Sequence, residues 1–198
     1  MEEQLQKNEL LLRETNTLIR HYDEIRKING EDFNVYSLLG LEHAENKTHS
    51  NFLAELLNPK GSHHMGNVFL KLFLEALSHH EIDLDTASVQ VEKNIGIINT
   101  KNSTGGRIDI FIEDSKGNTI SIENKIYAGD QDQQLKRYYN YNTAKNTVYY
   151  LTLFGSDASA ASKRDLKANE DYQLISYKDD ILNWLEACKK EAVDVENI

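Results

Sequence analysis

The sequence predicts an α/β (α+β) protein built on a central mixed β-sheet flanked by helices and preceded by further helices. Three observations predict it. Apolar residues recur at helical spacing through about the first eighty positions. From residue 88 the spacing shortens to period 2 in three successive segments, and after residue 130 helical and strand-like segments alternate. At 198 residues the size fits one domain, with an N-terminal helical part at 1–80 and a mixed-sheet core at 88–190.

Residues 4–28 carry Leu5, Leu11, Leu12, Leu18, Ile19, Tyr22 and Ile25 among charged positions, which predicts a long amphipathic helix ended by Asn29-Gly30. A short helix is expected at Val35 to Leu39. Thr48 or Ser50 opens the next, which Pro59 stops. "GSHHMG" reads as a loop and "NVFLKLFLEALSHH" as a strongly apolar helix. "SVQVEKNIGII" is a strand candidate, "NTKNSTGG" a turn-rich loop, and "RIDIFIED" and "NTISIENK" form a hairpin. A helix is expected from about Asp130 to Ala144, then the strand "TVYYLTLF". Residues 155–170 read as a polar, mobile loop, and "YQLIS" and "YKDDILNWLEACKKEA" as a last strand and helix.

A net charge of −10 argues against a general polyanion-binding surface, although bound divalent cations or a local basic groove would reverse the field locally. The single cysteine, Cys188, excludes an internal disulfide and a thiolate-rich zinc site, and favours a reducing compartment. The N-terminus has no apolar signal core and no stretch reaches membrane-spanning length, so the cytoplasm is expected and no membrane partner is.

The charges inside the hairpin raise the functional question. With "SKG" as a three-residue loop, Asp114 pairs with Asn118, and further along the ladder Asp109 lies opposite Glu123. Arg107, Asp109, Phe111, Ser121, Glu123 and Lys125 then share one face, while Ile108, Ile110, Ile112, Ile120 and Ile122 form the other. Directly opposed carboxylates repel, so they call for a cation. The bland alternative is an exposed sheet face with ordinary polar alternation.

"RIDIFIED…ISIENK" resembles the signature of the PD-(D/E)XK nuclease superfamily, an Asp on one strand followed by Glu-x-Lys on the next. "QLKRY" is similar to a Gln-x-x-x-Tyr element of its recombination-exonuclease branch, here Gln134 and Tyr138. "ENKTHSNFLAELLNPKGSHHMGNVFLKLFL" resembles the N-terminal part of a bacterial family within it. The likeness runs over roughly residues 35–155, and the Pro that usually precedes the Asp is replaced by Arg107-Ile108. The resemblance implies a restriction-endonuclease-like core of αβββαβ topology and a nuclease acting on nucleic acid, expected to be DNA, in bacterial defence, restriction or repair.

By the same resemblance, Asp109 and Glu123 hold Mg²⁺, for which Mn²⁺ substitutes, with the backbone carbonyl of Asn124 as a further ligand. Lys125 orients or deprotonates the attacking water or stabilises developing charge. Glu45 is the candidate third acid, with Glu42 behind it; the ordinary reading of either is a carboxylate at a helix N-terminus. Gln134 and Tyr138 contact the metal-bound water, the phosphate or Lys125. Arg107, Lys136 and Arg137, with Lys93 and Lys101, flank the site as phosphate contacts or plain surface charges. His43, His49, His63 and His64 match no common zinc spacing; His63-His64 lies in a loop and His49 near a helix start, where a cap or core contact is expected, and the alternative is that His49 and His63 line the substrate groove.

The competing reading is a catalytically silent nuclease-fold module for nucleic-acid binding or assembly. A third has the N-terminal helix mediating dimerisation. A homodimer, a missing partner domain or a further C-terminal specificity domain are all compatible with the chain.

Overall fold

Within residues 2–28, 48–126 and 128–193, which the computed structural model describes, the expected elements form in the expected order. Helix α1 (Glu2–Ile28) leaves its apolar stripe in solvent, with Leu11, Leu18, Ile19 and Tyr22 all exposed. The helix expected at Val35 to Leu39 lies outside the described residues. Helices α2 (Thr48–Leu57) and α3 (Val68–Ala76) bury Leu53, Leu57, Phe69, Leu70, Phe73 and Leu74. Among the described residues no helix is long and apolar enough to cross a membrane.

Strands β1 (Ser88–Asn94), β2 (Arg107–Glu113) and β3 (Thr119–Lys125) are antiparallel neighbours. After α4 (Gln134–Tyr139), strand β4 (Asn146–Thr152) pairs parallel with β3. After α5 (Ala160–Lys163), strand β5 (Gln173–Ser176) pairs parallel with β4. The sheet is therefore mixed, with its five strands in sequence order. A π-helical turn (Tyr177–Ile181) leads into α6 (Leu182–Glu191). Ser176 starts it: its hydroxyl accepts the amides of Asp179 and Asp180, and Asp180 accepts the Ser176 amide at 2.7 Å.

The β2–β3 turn is the three-residue loop the sequence implies. Gly117 adopts φ 78°, its amide donates to the Asp114 carbonyl at 3.1 Å, and the Asp114 amide donates to the Asn118 carbonyl. The Asp114 carboxylate also accepts the amides of Lys116, Asn118 and Asp83, each at 2.9 Å, so the turn is held from inside. That turn sets Ile112 opposite Ile120 and Ile110 opposite Ile122. The paired register ends there, and Asp109 and Glu123 each lie one residue beyond its last pair.

The sheet is covered on both faces. On one, Ile110, Ile112, Ile120, Ile122, Leu151 and Ile175 pack against α2, α3 and α6. Trp184 closes that side, donating its indole N–H to the Phe69 carbonyl at 2.9 Å and meeting Phe73 edge-on. On the other, Phe111, Val148 and Tyr150 pack with Leu135, Tyr138, Leu166 and Tyr172.

Four expectations need correction. Ile108 belongs to the second cluster, so the predicted face of five isoleucines holds four. Ile108 pairs with Lys93, and the preceding β1 residue, Glu92, has φ 54°, a backbone distortion beside the step where the alternation of β2 breaks. Strand β1 stops at Asn94, whose side chain accepts the Gly96 amide. Helix α4 covers only Gln134–Tyr139 of the span from Asp130 to Ala144. Gln133 and Asn142 take left-handed backbone on either side of it, and the Asn142 amide group donates to Gly117 and Thr119 across the fold. Finally, the 155–170 segment contains α5 and is tied down: Asp130 accepts the Ser159 amide at 2.7 Å and Asp157 accepts the Tyr172 hydroxyl.

Ile120 is fully buried, so Ile120→Ala should remove about 2–5 kcal/mol of stability, read as a lower urea midpoint with an unchanged slope.

Candidate active site

At the end of the β2–β3 hairpin away from its turn, the chain places polar groups where the ladder runs out. The pairing extends to Ile110 and Ile122. Beyond them, the Asn124 amide donates to Asp109 Oδ2 at 2.8 Å, the carboxylate standing in for a strand partner. Asn124 is itself tied on two sides, to Ser50 Oγ at 3.0 Å and to the Tyr177 hydroxyl at 3.1 Å. Helix α2 and the π-helical turn thus brace the end of β3.

Glu123 is 1% exposed. Its Oε1 accepts from Lys125 Nζ at 2.8 Å and from Gln134 Nε2 at 2.7 Å. Its Oε2 is buried without a hydrogen-bond donor among the described residues. The Gln134 amide is oriented because its Oε1 accepts the Gln131 amide, and its Nε2 also reaches the Tyr138 hydroxyl at 3.3 Å. Tyr138 donates its proton to the Arg107 carbonyl, which locks α4 to the start of β2. Gln134 and Tyr138, one helical turn apart, work on the same carboxylate corner.

These groups line a cleft of about 410 Å³. Its walls bring together Arg107, Asp109, Glu123, Lys125, Gln134 and Tyr138, as the sequence expected, and add Glu92, Asn94, Gly96, Ile98, Gly106 and Gln131. Glu92 is the addition with chemical weight. Its carboxylate pairs with Arg107 at 3.0 Å and its charge opposes ionisation of Asp109. Only the β1–β2 register places Glu92 beside Asp109, and the long loop between those strands hides that register from the sequence.

The other expected residues sit elsewhere. Glu45 and Glu42 lie outside the described residues. His49 is exposed, stands edge-on to Tyr177 and lines a separate apolar groove with Leu53 and Ile181. Lys136 pairs with Asp165 at 2.9 Å and lies over the Tyr139 ring. Arg137 is buried, donating to the carbonyls of Gly105 and Asp132, so it straps the β1–β2 loop instead of presenting a surface charge to phosphate. His63 is a core residue: Nδ1 accepts the Met65 amide, which makes Nε2 the donor to the Asn58 carbonyl, and burial lowers its pKa.

A family model for the PD-(D/E)XK nuclease superfamily matches residues 33–198. The chain belongs to that superfamily. No curated protein and no solved structure matches it. The mixed five-stranded sheet between helices is the restriction-endonuclease-like fold of PD-(D/E)XK proteins, a superfamily of nucleases. In this PD-(D/E)XK chain the residues read as the Asp and the Glu-x-Lys of the signature fall on adjacent strands, at one end of the sheet.

Among the described residues no three His, Cys, Asp or Glu side chains form a cluster able to hold a metal ion. Asp109 and Glu123 supply two hard carboxylate donors, and Glu123 Oε2 is a buried oxygen lacking a partner. That donor set fits a hard divalent cation.

Burial, and then the charge of Asp109, push the Glu123 carboxyl up to about 8 against the partial opposition of Lys125. Burial raises Asp109 as well. Without a cation, a proton on Glu123 removes the cost of burying its charge and its repulsion with Asp109. The folded chain therefore holds this proton more tightly than the unfolded chain, whose glutamate titrates near 4.5. The stabilising contribution is complete below about 4.5 and is lost as pH rises through about 8. In EDTA the melting temperature should fall across that window. Glu123→Gln, which cannot ionise, should flatten the slope; an equal slope in both proteins would place the proton elsewhere.

Proposed function

We propose that the chain is a metal-dependent nuclease hydrolysing phosphodiester bonds, with DNA as substrate and Mg²⁺ as the ion, Mn²⁺ substituting. One observation carries this reading: a buried glutamate with an unsatisfied oxygen lies beside a second carboxylate and a lysine, in a cleft open to solvent. A structural ion pair needs neither the second carboxylate nor the orphaned oxygen.

Asp109 and Glu123 would hold the cation. When bound, it supplies a Lewis acid for the phosphoryl oxygen and lowers the pKa of water. The remaining work falls to side chains of the chain itself. Lys125 Nζ, anchored on Glu123 Oε1, is placed to move a proton at the attacking water or to face the charge that grows on phosphate. Gln134 holds Glu123 in one rotamer, and Tyr138 holds Gln134 and the start of β2. Arg107, 63% exposed along its side chain, offers a cation at the rim. A phosphate that competes for Arg107 releases Glu92 from its ion pair. In the reaction, water oxygen bonds to phosphorus, one ester P–O bond breaks, and the departing oxygen gains a proton. The overall charge of −10 makes such local cations necessary for approach of a polyanion.

The test is degradation of single-stranded DNA, duplex DNA and RNA in Mg²⁺ or Mn²⁺. Wild type should cleave DNA, and Lys125→Ala should lower the rate by about 10²–10⁴-fold, the usual range for a positioned proton-transfer group. Glu123→Ala should abolish cleavage. A wild-type protein that binds DNA and never cuts it would instead be a silent binding module.

Metal binding has a readout separate from turnover. At an ion concentration near a hundred times its dissociation constant, the folded state should gain about 2.7 kcal/mol, seen as a raised melting temperature. Asp109→Asn should cancel that rise. No metal effect on wild type would remove the metal site from the mechanism.

A further inference from the structure

The loop between β1 and β2 carries two large aliphatic side chains into solvent: Ile97 is 94% exposed and Ile98 51%. Scattered apolar residues on a surface are ordinary. These two are adjacent, in a loop that apart from the core-packed Ile95 is otherwise composed of Asn, Thr, Lys, Ser and Gly, and Ile98 is part of the wall of the cleft that holds Asp109 and Glu123.

The loop is also built to hold them there. The Ile95 amide donates to the Gly106 carbonyl and the Gly106 amide to the Gly96 carbonyl. Further out, Asn99 and Thr104 exchange backbone hydrogen bonds at 2.9 and 3.2 Å, and the Asn99 side chain caps the tip by accepting the Lys101 amide. Gly105 is required, because a Cβ there would sit 2.1 Å from the Ile97 carbonyl oxygen and φ is 79°. Arg137, Asn140 and Gln133 bind the far side of the loop, through the Gly105 carbonyl, the Ser103 carbonyl and the Ser103 hydroxyl. A braced loop that carries two solvated isoleucines below its tip has left apolar surface for something that arrives at the cleft.

We propose that Ile97 and Ile98 are a wedge against unstacked bases, so that this site takes nucleic acid opened at the point of cleavage: a single strand, a bubble or a frayed end. The inference rests on the nuclease reading above and deepens it. A polynucleotide offers phosphates, sugars, polar base edges and apolar base faces, and in an intact duplex the faces are covered by their neighbours. With its phosphate in the cleft, a strand meets the isoleucines within a nucleotide or so of the reacting bond. Apolar wedges act by entering between base steps. Lys101, exposed at the tip of the same loop, adds a positive charge three residues from Ile98 for a strand's phosphates.

The test separates binding from cutting. Oligonucleotides carrying 2-aminopurine beside the expected scissile bond, as a single strand, a mismatched bubble and a matched duplex, are mixed with the full chain in EDTA at fixed salt. Wild type should bind the opened forms at least about fivefold more tightly than the matched duplex, the equivalent of one lost stacking contact, and should brighten the fluorophore. Ile97→Ser/Ile98→Ser should erase the preference and the brightening, while Ile97→Phe should keep both. Both positions are solvent-exposed, so loss of fold is checked by an unchanged melting temperature.

An unaltered preference in the double Ser variant overturns the wedge, as does equal or absent binding of all three DNAs by wild type. So does a dimer that dissociates in the double Ser variant, since the isoleucines would then be an interface between copies. The nuclease reading fails by a different result: wild type that brightens the opened DNA in EDTA and cuts nothing in Mg²⁺ or Mn²⁺.

Discussion

Everything at the site depends on one buried carboxyl. Glu123 sits on an interior strand, covered on the site side by α4, with a single oxygen serving both Lys125 and Gln134. A carboxylate in that position is costly unless its remaining charge and lone pairs find partners. The chain leaves the second oxygen to be completed by a proton or a cation. The same feature lowers the stability of the empty site and makes it receptive to a hard ion.

The surroundings of Glu123 make sense as devices that hold this unfavourable arrangement in place. The isoleucine layer and Trp184 immobilise the back of the hairpin. Gln131, Gln134 and Tyr138 form a chain of hydrogen bonds that fixes the front. Asn124, between Glu123 and Lys125 on β3, is pulled to Ser50 and Tyr177 and keeps the strand end from fraying. Arg137 ties the neighbouring loop to the same helix. A polar cleft thus stands on a framework whose members are mostly satisfied within the protein; among the described residues that line it, one oxygen of Glu123 is buried without a donor, and Ile98 is half exposed.

Much of this was legible in the residues. The "SKG" turn and the alternation around it were enough to set Ile112 opposite Ile120 and Ile110 opposite Ile122, because turn length sets hairpin register locally. Gln134 and Tyr138 reached the site through helical spacing and resemblance. Residues whose position depends on distant partners were not legible. Arg137 looked like a surface cation and is buried, and His63 looked like a groove residue and is core. Glu92 drew no attention until β1 was placed beside β2.

What the sequence determined by itself was therefore local. It set the order of elements, the hairpin register, and the gathering of two carboxylates and a lysine at one strand end, since period and turn chemistry act over a few residues. The tertiary structure decided how that corner is used. It set which carboxyl is desolvated, which oxygen remains without a donor, which cations stay at the surface, and that the braced loop brings Ile98 to the wall of the cleft with Ile97 exposed beside it. Those are outcomes of burial and of hydrogen bonds between residues tens of positions apart, and no period in the chain encodes them.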